Sequence, residues 1–421
     1  MQLLTLFLLA GGSLAAPHME HELRQLTHPE LSKRIDPSAH RDFDLDAIRK
    51  IKNVQLGPRP YYLVDDLEPS PLKDKLQKCT EKPAKTSHWS IGHRGGGTLQ
   101  FPEHTVQSNL AGARMGAGVL DLELVCRHSQ CDLHTTTNVV ATELGKKCTT
   151  PFQPATANST AKARCCTSDF TLDEILSLCG KMDSFNASAT TPEDYLGNVP
   201  AWRTTLYNQC GTLMSLKDHI AMVEKLGLEH TPELKLPEVP MPFNGDYTQE
   251  KYAQQLIDTY RECGVNPKKF WPQSFHYPDV VYWIKNAGKY GKQAVLLDET
   301  LPIDQAADKM TQYKKDGVKI LAPPTPYLLD VQNGTIVPSE YAKKAKEHGF
   351  DIITWSLDRS PPVKQAKETK DYYYETFLDG LHRDGDLYRA IDVMAQQVGV
   401  KKMFADWSGT VTFYANCFGL K

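Results

Sequence analysis

The sequence lacks any internal apolar run long enough to cross a membrane. A transmembrane helix takes about 18 to 20 consecutive apolar residues, and no segment beyond the N-terminal end of this 421-residue chain approaches that length. An excess of charge is also lacking, because 48 lysine and arginine residues offset 51 acidic residues to a net charge of −3. The chain therefore lacks the excess of basic residues that is typical of nucleic-acid-binding proteins. We expect a small-molecule partner and no stable membrane insertion.

Paired Cys-x-x-Cys units are absent as well, although the chain has ten cysteines. Seven of the ten lie between Cys126 and Cys210. A zinc site needs four converging ligands, and the adjacent Cys165 and Cys166 are poorly placed to provide two of them. The pattern therefore favours disulfides over zinc, and disulfides indicate an exported protein.

The N-terminal end is typical of an exported chain. Residues 1–16 predict a signal peptide, because an apolar run is followed by small residues, although Lys and Arg are missing before the run. Residues 17–85 are rich in charge and proline, and we interpret them as an N-terminal leader that is partly disordered. Glycosylation sequons at Asn158, Asn186 and Asn333 agree with a secreted, extracellular protein.

Residues 86–421 predict one α/β domain. Helical patterns at residues 249–263, 280–289, 303–315 and 340–348 alternate with short apolar runs typical of strands. The eight predicted strands are residues 89–93, 119–125, 230–236, 271–275, 294–297, 318–322, 352–357 and 403–406. Eight such units indicate a TIM-type (β/α)8 barrel, with residues 126–215 as a Cys-rich insertion after the second strand.

One glycine-rich segment carries the main functional signal. From Ile91 to Thr105 it is Ile-Gly-His-Arg-Gly-Gly-Gly-Thr-Leu-Gln-Phe-Pro-Glu-His-Thr. Glycines cannot extend the preceding strand, so His93 and Arg94 should project from a strand end, where barrel enzymes carry their catalytic residues. The alternative is a glycine-rich turn with a solvated arginine and a hydrogen-bonded histidine.

The combination of His-Arg-Gly with Pro-Glu-x-Thr resembles the opening motif of the glycerophosphodiester phosphodiesterase family. His104 occupies the position where that motif has asparagine. The resemblance extends to the C-terminus, and it is closest to secreted fungal members in the Cys-rich region and in the ending Phe-Ala-Asp-Trp-Ser-Gly-Thr-Val-Thr-Phe-Tyr-Ala-Asn-Cys. It implies a barrel that hydrolyses phosphodiesters with the help of a metal ion.

A set of acidic residues lies on the second and third predicted strands. Asp121 and Glu123 alternate along one strand, so both carboxylates should share a face, and Glu233 lies on the next strand. Such carboxylates could hold a hard cation, although exposed acids on a half-buried strand are the alternative. The resemblance implies that these three residues bind Ca²⁺ or Mg²⁺ and that Lys235 contacts the substrate, while the order of acids in the pair is reversed.

The second catalytic histidine of the family corresponds to His128, with Ser129 in place of an aspartate. We regard His134 as a secondary candidate, better explained as an unpaired surface residue. Family members have a hairpin before the histidine, whereas only four residues separate Glu123 from His128 here. In one continuous strand the two would lie about 16 Å apart on opposite faces. A true deletion and a gene-model error would both produce this gap.

The resemblance thus implies hydrolysis of glycerophosphodiesters to sn-glycerol 3-phosphate and an alcohol. His93 and His128 would form the acid–base pair, Arg94 would bind the phosphate, and Trp355 would contact the substrate. Two alternatives stay open: a phospholipase D-type lipid phosphodiesterase on the same barrel, and a catalytically impaired extracellular barrel. The missing hairpin before His128 favours the second alternative.

Overall fold

The computed structural model describes residues 37–123, 127–205, 207 and 210–421, so the predicted signal peptide lies outside the described residues. Eight parallel strands form a closed barrel, and each pairs with its neighbours in chain order until the last strand pairs with the first. The strands are β1 Ser87–Gly92, β2 Ala117–Glu123, β3 Glu229–Glu233, β4 Gln273–Ser274, β5 Val295–Leu297, β6 Ile320–Ala322, β7 Asp351–Leu357 and β8 Lys402–Ala405. The predicted TIM-type barrel is confirmed.

Helices surround the barrel and precede it. They are α1 Arg59–Asp66, α2 Pro71–Gln77, α3 Val106–Arg114, α4 Leu133–Thr136, α5 Leu172–Leu176, α6 Pro192–Tyr195, α7 Leu216–Leu226, α8 Gln249–Glu262, α9 Tyr277–Asn286, α10 Ile303–Ala306, α11 Met310–Lys315, α12 Thr325–Leu328, α13 Glu340–Glu347, α14 Val363–Thr369, α15 Leu387–Asp392 and α16 Ser408–Phe418. No helix in the described ranges is both long and apolar enough to cross a membrane.

Local sequence explains where these helices begin and end. Before α7, the side chain of Ser215 accepts a hydrogen bond from the backbone of Asp218, and the Asp218 carboxylate accepts one from Ser215. This reciprocal pair satisfies backbone groups that the first turn of a helix leaves free. Gly227 ends α7 at a φ of 79°, which a residue without a Cβ adopts readily.

The barrel interior is filled by apolar side chains from the strands, and the helices pack on the outside. Inside, Ile91, Val119, Val295, Ile320 and Phe404 are among the members of one buried cluster. All seven residues of β2 are buried, as expected for a strand covered on both faces. A packed interior of this kind leaves the chemistry to the ends of the strands.

Residues 37–85 belong to the folded domain, which corrects their interpretation as part of a partly disordered leader, whereas residues 17–36 of that prediction lie outside the described residues. Within the described residues 37–85, α1 and α2 place Leu63, Val64 and Leu76 at 0% exposure in the main hydrophobic core. Helix α1 also contacts the C-terminal helix α16. The two helices are short and contain few apolar residues. Because charged residues and prolines surround them, the helical spacing of those apolar residues is not recognisable in the sequence.

The Cys-rich insertion is held together by three disulfides. Bonds join Cys131 to Cys166, Cys148 to Cys165, and Cys179 to Cys210. The insertion also has its own small core, formed by residues that include Leu133, Val139, Leu178 and Tyr195. Disulfides rather than zinc therefore account for these six cysteines.

Candidate active site

A pocket of about 360 Å³ opens at the carboxyl ends of the barrel strands. Every strand except β6 provides a lining residue, from the strand itself or from the loop after it. The lining residues are His93, Arg94, Asp121, His128, Glu233, Lys235, Gln273, Phe275, Leu297, Trp355, Tyr373 and Phe404. Catalytic residues of TIM barrels lie at this end of the fold.

His93 follows β1, and its imidazole ring is oriented by side chains near the ends of β7 and β8. Its Nδ1 atom lies 2.5 Å from Oδ1 of Asp406, the residue after β8, and 2.9 Å from Oγ of Ser356. Burial lowers the pKa of His93 to about 4, against the opposing effect of the Asp406 charge. The imidazole is therefore neutral at neutral pH, as a proton acceptor must be.

A buried carboxylate, Glu103, binds three arginines around the pocket. Arg94 donates from Nη1 to both Glu103 oxygens at 2.9 and 3.1 Å, and Arg359 and Arg203 lie 3.3 and 3.7 Å from Oε2. Although burial alone would raise the pKa of Glu103, these guanidinium groups hold it well below its usual range. Arg359 also donates to Asp406 at 2.8 Å, so the arginine cluster reaches the His93 pair.

The glycine-rich turn after β1 brings these groups together. Arg94 and His104 have φ values of 51° and 57°, in the left-handed region where non-glycine residues are uncommon. A Cβ on Gly95 would lie 2.5 Å from Oγ of Ser108, so this position requires glycine. Histidine and asparagine both occur in the left-handed region more often than most residues, which explains why His104 can stand at an asparagine position.

The three predicted metal ligands all lie buried at this end of the barrel. Oδ2 of Asp121 accepts a hydrogen bond from the backbone N–H of Arg94 at 3.1 Å. Glu123 and Glu233 are register partners on neighbouring strands, but Glu123 lies 2.7 Å from Nε2 of His104 and Glu233 lies 2.7 Å from Nζ of Lys235. The three carboxylates thus lie in one region, where Glu123 faces His104 and Glu233 faces Lys235.

The electrostatics of these acids favour a cation. Burial, followed by the charge of Glu233, raises the pKa of Glu123 to about 8. Burial and the two neighbouring glutamates raise the pKa of Asp121 well above its usual range. By donor type, three mutually repelling buried carboxylates fit a hard divalent ion. Their present rotamers do not converge, since in the described ranges no three or more His, Cys, Asp or Glu side chains are grouped to hold a metal ion.

His128 lies in the same pocket as His93, despite the short segment before it. It lines this pocket together with Asp121 and Glu233, so it does not lie on the opposite face, where one continuous strand from Glu123 would have placed it. Burial, followed by Arg94 and Lys235, lowers the pKa of His128 well below its usual range. By contrast, His134 lies in the insertion, where its Nδ1 is 2.9 Å from the Tyr195 hydroxyl.

The remaining predicted residues also line the pocket. Trp355 donates from Nε1 to the backbone oxygen of Ala322 at 2.8 Å and stacks edge-on against Phe275 and Tyr373. Arg94 keeps a buried Nε without a hydrogen-bond partner in the described part of the chain, which leaves it available to an anion. The pocket therefore combines cationic donors, two neutral histidines and an aromatic wall.

Sequence reasoning missed the arginine cluster. Glu103 was visible in the Pro-Glu-x-Thr motif, but its partner Arg359 was not identified. The position of Arg359, two residues after β7, was a usable signal because residues just beyond barrel strands carry function. Tyr373 lies within a run of three tyrosines that forms one turn of 3-10 helix, where the sequence offers no pattern that distinguishes it.

Several solved structures resemble this fold at low sequence identity. A putative glycerophosphoryl diester phosphodiesterase from Agrobacterium tumefaciens has a TM-score of 0.44 and 12% identity, covering 80% of this chain and 98% of that chain. A phosphodiesterase from Oleispira antarctica, in complex with its product sn-glycerol-3-phosphate, has a TM-score of 0.41 and 14% identity, covering 77% and 95%. At such values neither structure defines the activity of this chain.

Comparison by sequence gives a nearer relative. No protein-family profile matches the chain. An "Extracellular protein" of Arthroderma benhamiae is 45% identical over 245 residues, which cover 57% of this chain and all of that protein. The chain therefore belongs to the same family as this extracellular protein of Arthroderma benhamiae.

Proposed function

We propose that the chain is a secreted glycerophosphodiester phosphodiesterase, which hydrolyses glycerophosphodiesters to sn-glycerol 3-phosphate and an alcohol. The observation that carries the proposal is the meeting of His93 and His128 with Arg94 and Lys235 in one pocket at the strand ends. The resemblance of the His-Arg-Gly and Pro-Glu-x-Thr motif to that family supports the same reaction. Disulfides and the extracellular relative support secretion.

The two histidines can move the protons that the hydrolysis requires. A water oxygen forms a bond to phosphorus while the bond from phosphorus to the alcohol oxygen breaks. One neutral imidazole accepts the proton of the water, and the other, which takes up a proton when the anionic phosphodiester is bound beside it, donates that proton to the leaving alkoxide. Asp406 accepts from Nδ1 of His93, so that the other ring nitrogen faces the reaction and the imidazolium form is stabilised as charge develops.

The cationic side chains bind and orient the phosphodiester. Arg94 offers a buried Nε–H, and Lys235 lines the same pocket, so both can donate to phosphoryl oxygens. Asp121, Glu123 and Glu233 would hold a Ca²⁺ or Mg²⁺ ion. When bound, such an ion supplies charge that neutralises the phosphoryl oxygens.

The test compares three histidine substitutions. His93→Ala and His128→Ala should each lower kcat for release of glycerol 3-phosphate from glycerophosphocholine by about 10²- to 10⁴-fold. His134→Ala is the matched control, because His134 lies in the insertion outside the pocket lining, and it should retain activity. Full activity in folded His93→Ala would reject the assignment.

The metal proposal has its own measurement. Calorimetric titration of the metal-free protein with Ca²⁺ and with Mg²⁺ should show binding that Asp121→Asn weakens by at least about tenfold, since one anionic ligand is lost. Glu238→Gln serves as a control, because Glu238 pairs with Arg164 at the surface. Equal affinity in the two variants would exclude the proposed ligand set.

A further inference from the structure

A second concave surface, which we call the apolar groove, adjoins the candidate active site. Its volume is about 590 Å³, larger than the 360 Å³ of the catalytic pocket. The loop between β3 and α8 provides most of its walls. Leu236, Val239, Met241, Phe243 and Tyr247 come from that loop, and Tyr252 comes from α8 itself.

The groove borders the pocket at one shared lining residue. Lys235 lines both surfaces, and Leu236, the next residue, is the first apolar wall of the groove. Glu233, two residues earlier, belongs to the catalytic pocket. A ligand that leaves the pocket past Lys235 therefore enters an apolar environment.

Hydrogen bonds hold the groove in shape on both sides. Phe243 and Tyr247 pair as an antiparallel bridge, with backbone bonds of 2.9 and 3.1 Å. On the facing side, Gln130 donates to Ser168 within the insertion at 3.0 Å and accepts from the backbone of Glu238 at 2.6 Å. The insertion and the loop thus form two walls that are tied together.

The apolar side chains in this groove are open to solvent. Leu236 is 52% exposed, and Val239, Met241, Phe243 and Tyr247 are half-buried. Contiguous exposed apolar surface is unfavourable in water and marks binding sites for apolar ligands. Beside it, the pocket offers Arg94 and Lys235 to an anion, so the two surfaces together suit an amphiphile.

We propose that the substrate is a glycerophosphodiester that carries one apolar chain, a lysophospholipid, with its phosphodiester in the pocket and its chain in the apolar groove. Water would add to phosphorus as the bond to the head-group oxygen breaks, which releases the head-group alcohol and leaves an acylated glycerol 3-phosphate. This inference rests on the proposed phosphodiesterase function. One groove adjoining the pocket at Lys235 fits one chain, which favours a lysophospholipid over a phospholipid with two chains.

The experiment measures how substrate affinity depends on chain length. Lysophosphatidylcholines with hexanoyl, octanoyl and decanoyl chains are compared with glycerophosphocholine, all as monomers below their micellar concentrations. We expect KM to fall with each added methylene, by up to about fourfold per methylene if the chain is fully buried. A KM that is independent of chain length would overturn the proposal.

Two leucine variants test whether the groove is responsible. Leu236→Ser should raise KM for the decanoyl substrate by about threefold or more, because it removes apolar surface from the wall. It should leave kcat and KM for glycerophosphocholine unchanged. Leu301→Ser is the matched control, since Leu301 is also exposed, at 71%, and does not line the groove. Equal behaviour of the two variants on the decanoyl substrate would reject the assignment.

The two proposals fail in different ways. If glycerophosphocholine is hydrolysed without any gain from a chain, the groove proposal is wrong and the phosphodiesterase proposal stands. If no substrate is hydrolysed, the phosphodiesterase proposal is wrong, and calorimetry with decanoyl lysophosphatidylcholine then decides the groove. Binding that Leu236→Ser weakens would support an amphiphile site, and absence of binding would reject it.

Discussion

His93 and Asp406 meet across the closure of the barrel, with Nδ1 of the histidine 2.5 Å from Oδ1 of the aspartate. They directly follow β1 and β8, the first and last strands of the barrel, and are 313 residues apart in the chain. Arg359 donates to the other Asp406 oxygen at 2.8 Å. Although burial opposes it, Arg359 and His93 hold the pKa of Asp406 well below its usual range, so the carboxylate is ionised.

Replacing this carboxylate should impair proton transfer. In Asp406→Asn, the amide no longer stabilises a protonated imidazole, and it can present its NH₂ group to Nδ1 and so favour the other tautomer of His93. We expect kcat for glycerophosphocholine to fall by at least about tenfold, with a smaller change in KM. Steady-state kinetics would measure both, and unchanged kcat in the folded variant would show that Asp406 has no part in positioning His93.

Removing the charge of Glu103 should destabilise the whole domain. Glu103→Gln leaves Arg94, Arg203 and Arg359 close together in a buried site without their shared counter-charge. We expect a loss of about 3 to 5 kcal/mol in the free energy of unfolding, the usual cost of breaking a buried ion pair from one side. Urea unfolding would measure it.

The control for that change is Glu238→Gln, which removes a carboxylate from a surface ion pair with Arg164. Exposed pairs contribute about 0 to 1 kcal/mol, so this variant should unfold close to the wild type. Similar unfolding midpoints for the two variants would contradict the role given to Glu103.

Buried histidines should make the fold sensitive to acid. His219 is 1% exposed, its Nε2 lies 3.1 Å from Oδ1 of Asn109, and burial lowers its pKa well below the usual value. As pH falls below about 6.5, the unfolded chain binds a proton at His219 that the folded chain does not, so the free energy of unfolding decreases. His219→Gln should therefore lose stability less steeply between about pH 6.5 and pH 5, by about 1.4 kcal/mol per pH unit. Equal slopes in urea unfolding would contradict this.

Reduction should loosen the insertion before the barrel. Its three disulfides close segments with sequence separations of 35, 17 and 31 residues, and each bridge contributes about 2 to 4 kcal/mol. After treatment with dithiothreitol, limited proteolysis should cut first between residues 127 and 215. Mass spectrometry of the fragments would locate the cuts, and first cuts in the barrel helices would contradict the expectation.

The remaining described cysteines predict a further bond under oxidising conditions. Cys79 and Cys417 belong to or pack on the same core, and burial followed by a hydrogen bond with Cys79 raises the pKa of the Cys417 thiol. Under oxidising conditions, thiol–disulfide exchange with a disulfide such as oxidised glutathione would join them and release two thiols. Alkylation of the unfolded, unreduced protein should then label the exposed Cys263 and neither of this pair. Labelling of both would contradict the prediction.

Most of the barrel could be predicted from its strands. Their apolar runs are short and β-branched, and helices such as α8 begin at a clear cap, where Thr248 accepts a hydrogen bond from the backbone of Lys251. The exact ends of strands were less accessible, because β3 stops at Glu233 while the apolar pattern continues to Leu236. That residue instead forms a wall of the apolar groove.

The site was predictable only where its residues lie in local motifs. His93, Arg94 and the acids of β2 and β3 stand at recognisable strand positions, whereas the contact of Glu103 with Arg359 spans 256 residues and leaves no local trace. The position of His128 in the pocket could not be predicted either, because the four residues between Glu123 and His128 include no Gly, Pro, Asn or Asp that would indicate a turn. Long-range packing decides both features.

The contact between β1 and β8 also determines when, during synthesis of the chain, the pair of His93 and Asp406 can form. The partner that orients His93 follows β8, 313 residues later in the chain, and α16 after it packs against β1. A ribosome must release the chain through β8 and Asp406 before the ring can close. His93 is thus expected to remain without its carboxylate partner until that segment has been translated, so that any proton transfer that depends on the pair starts only then.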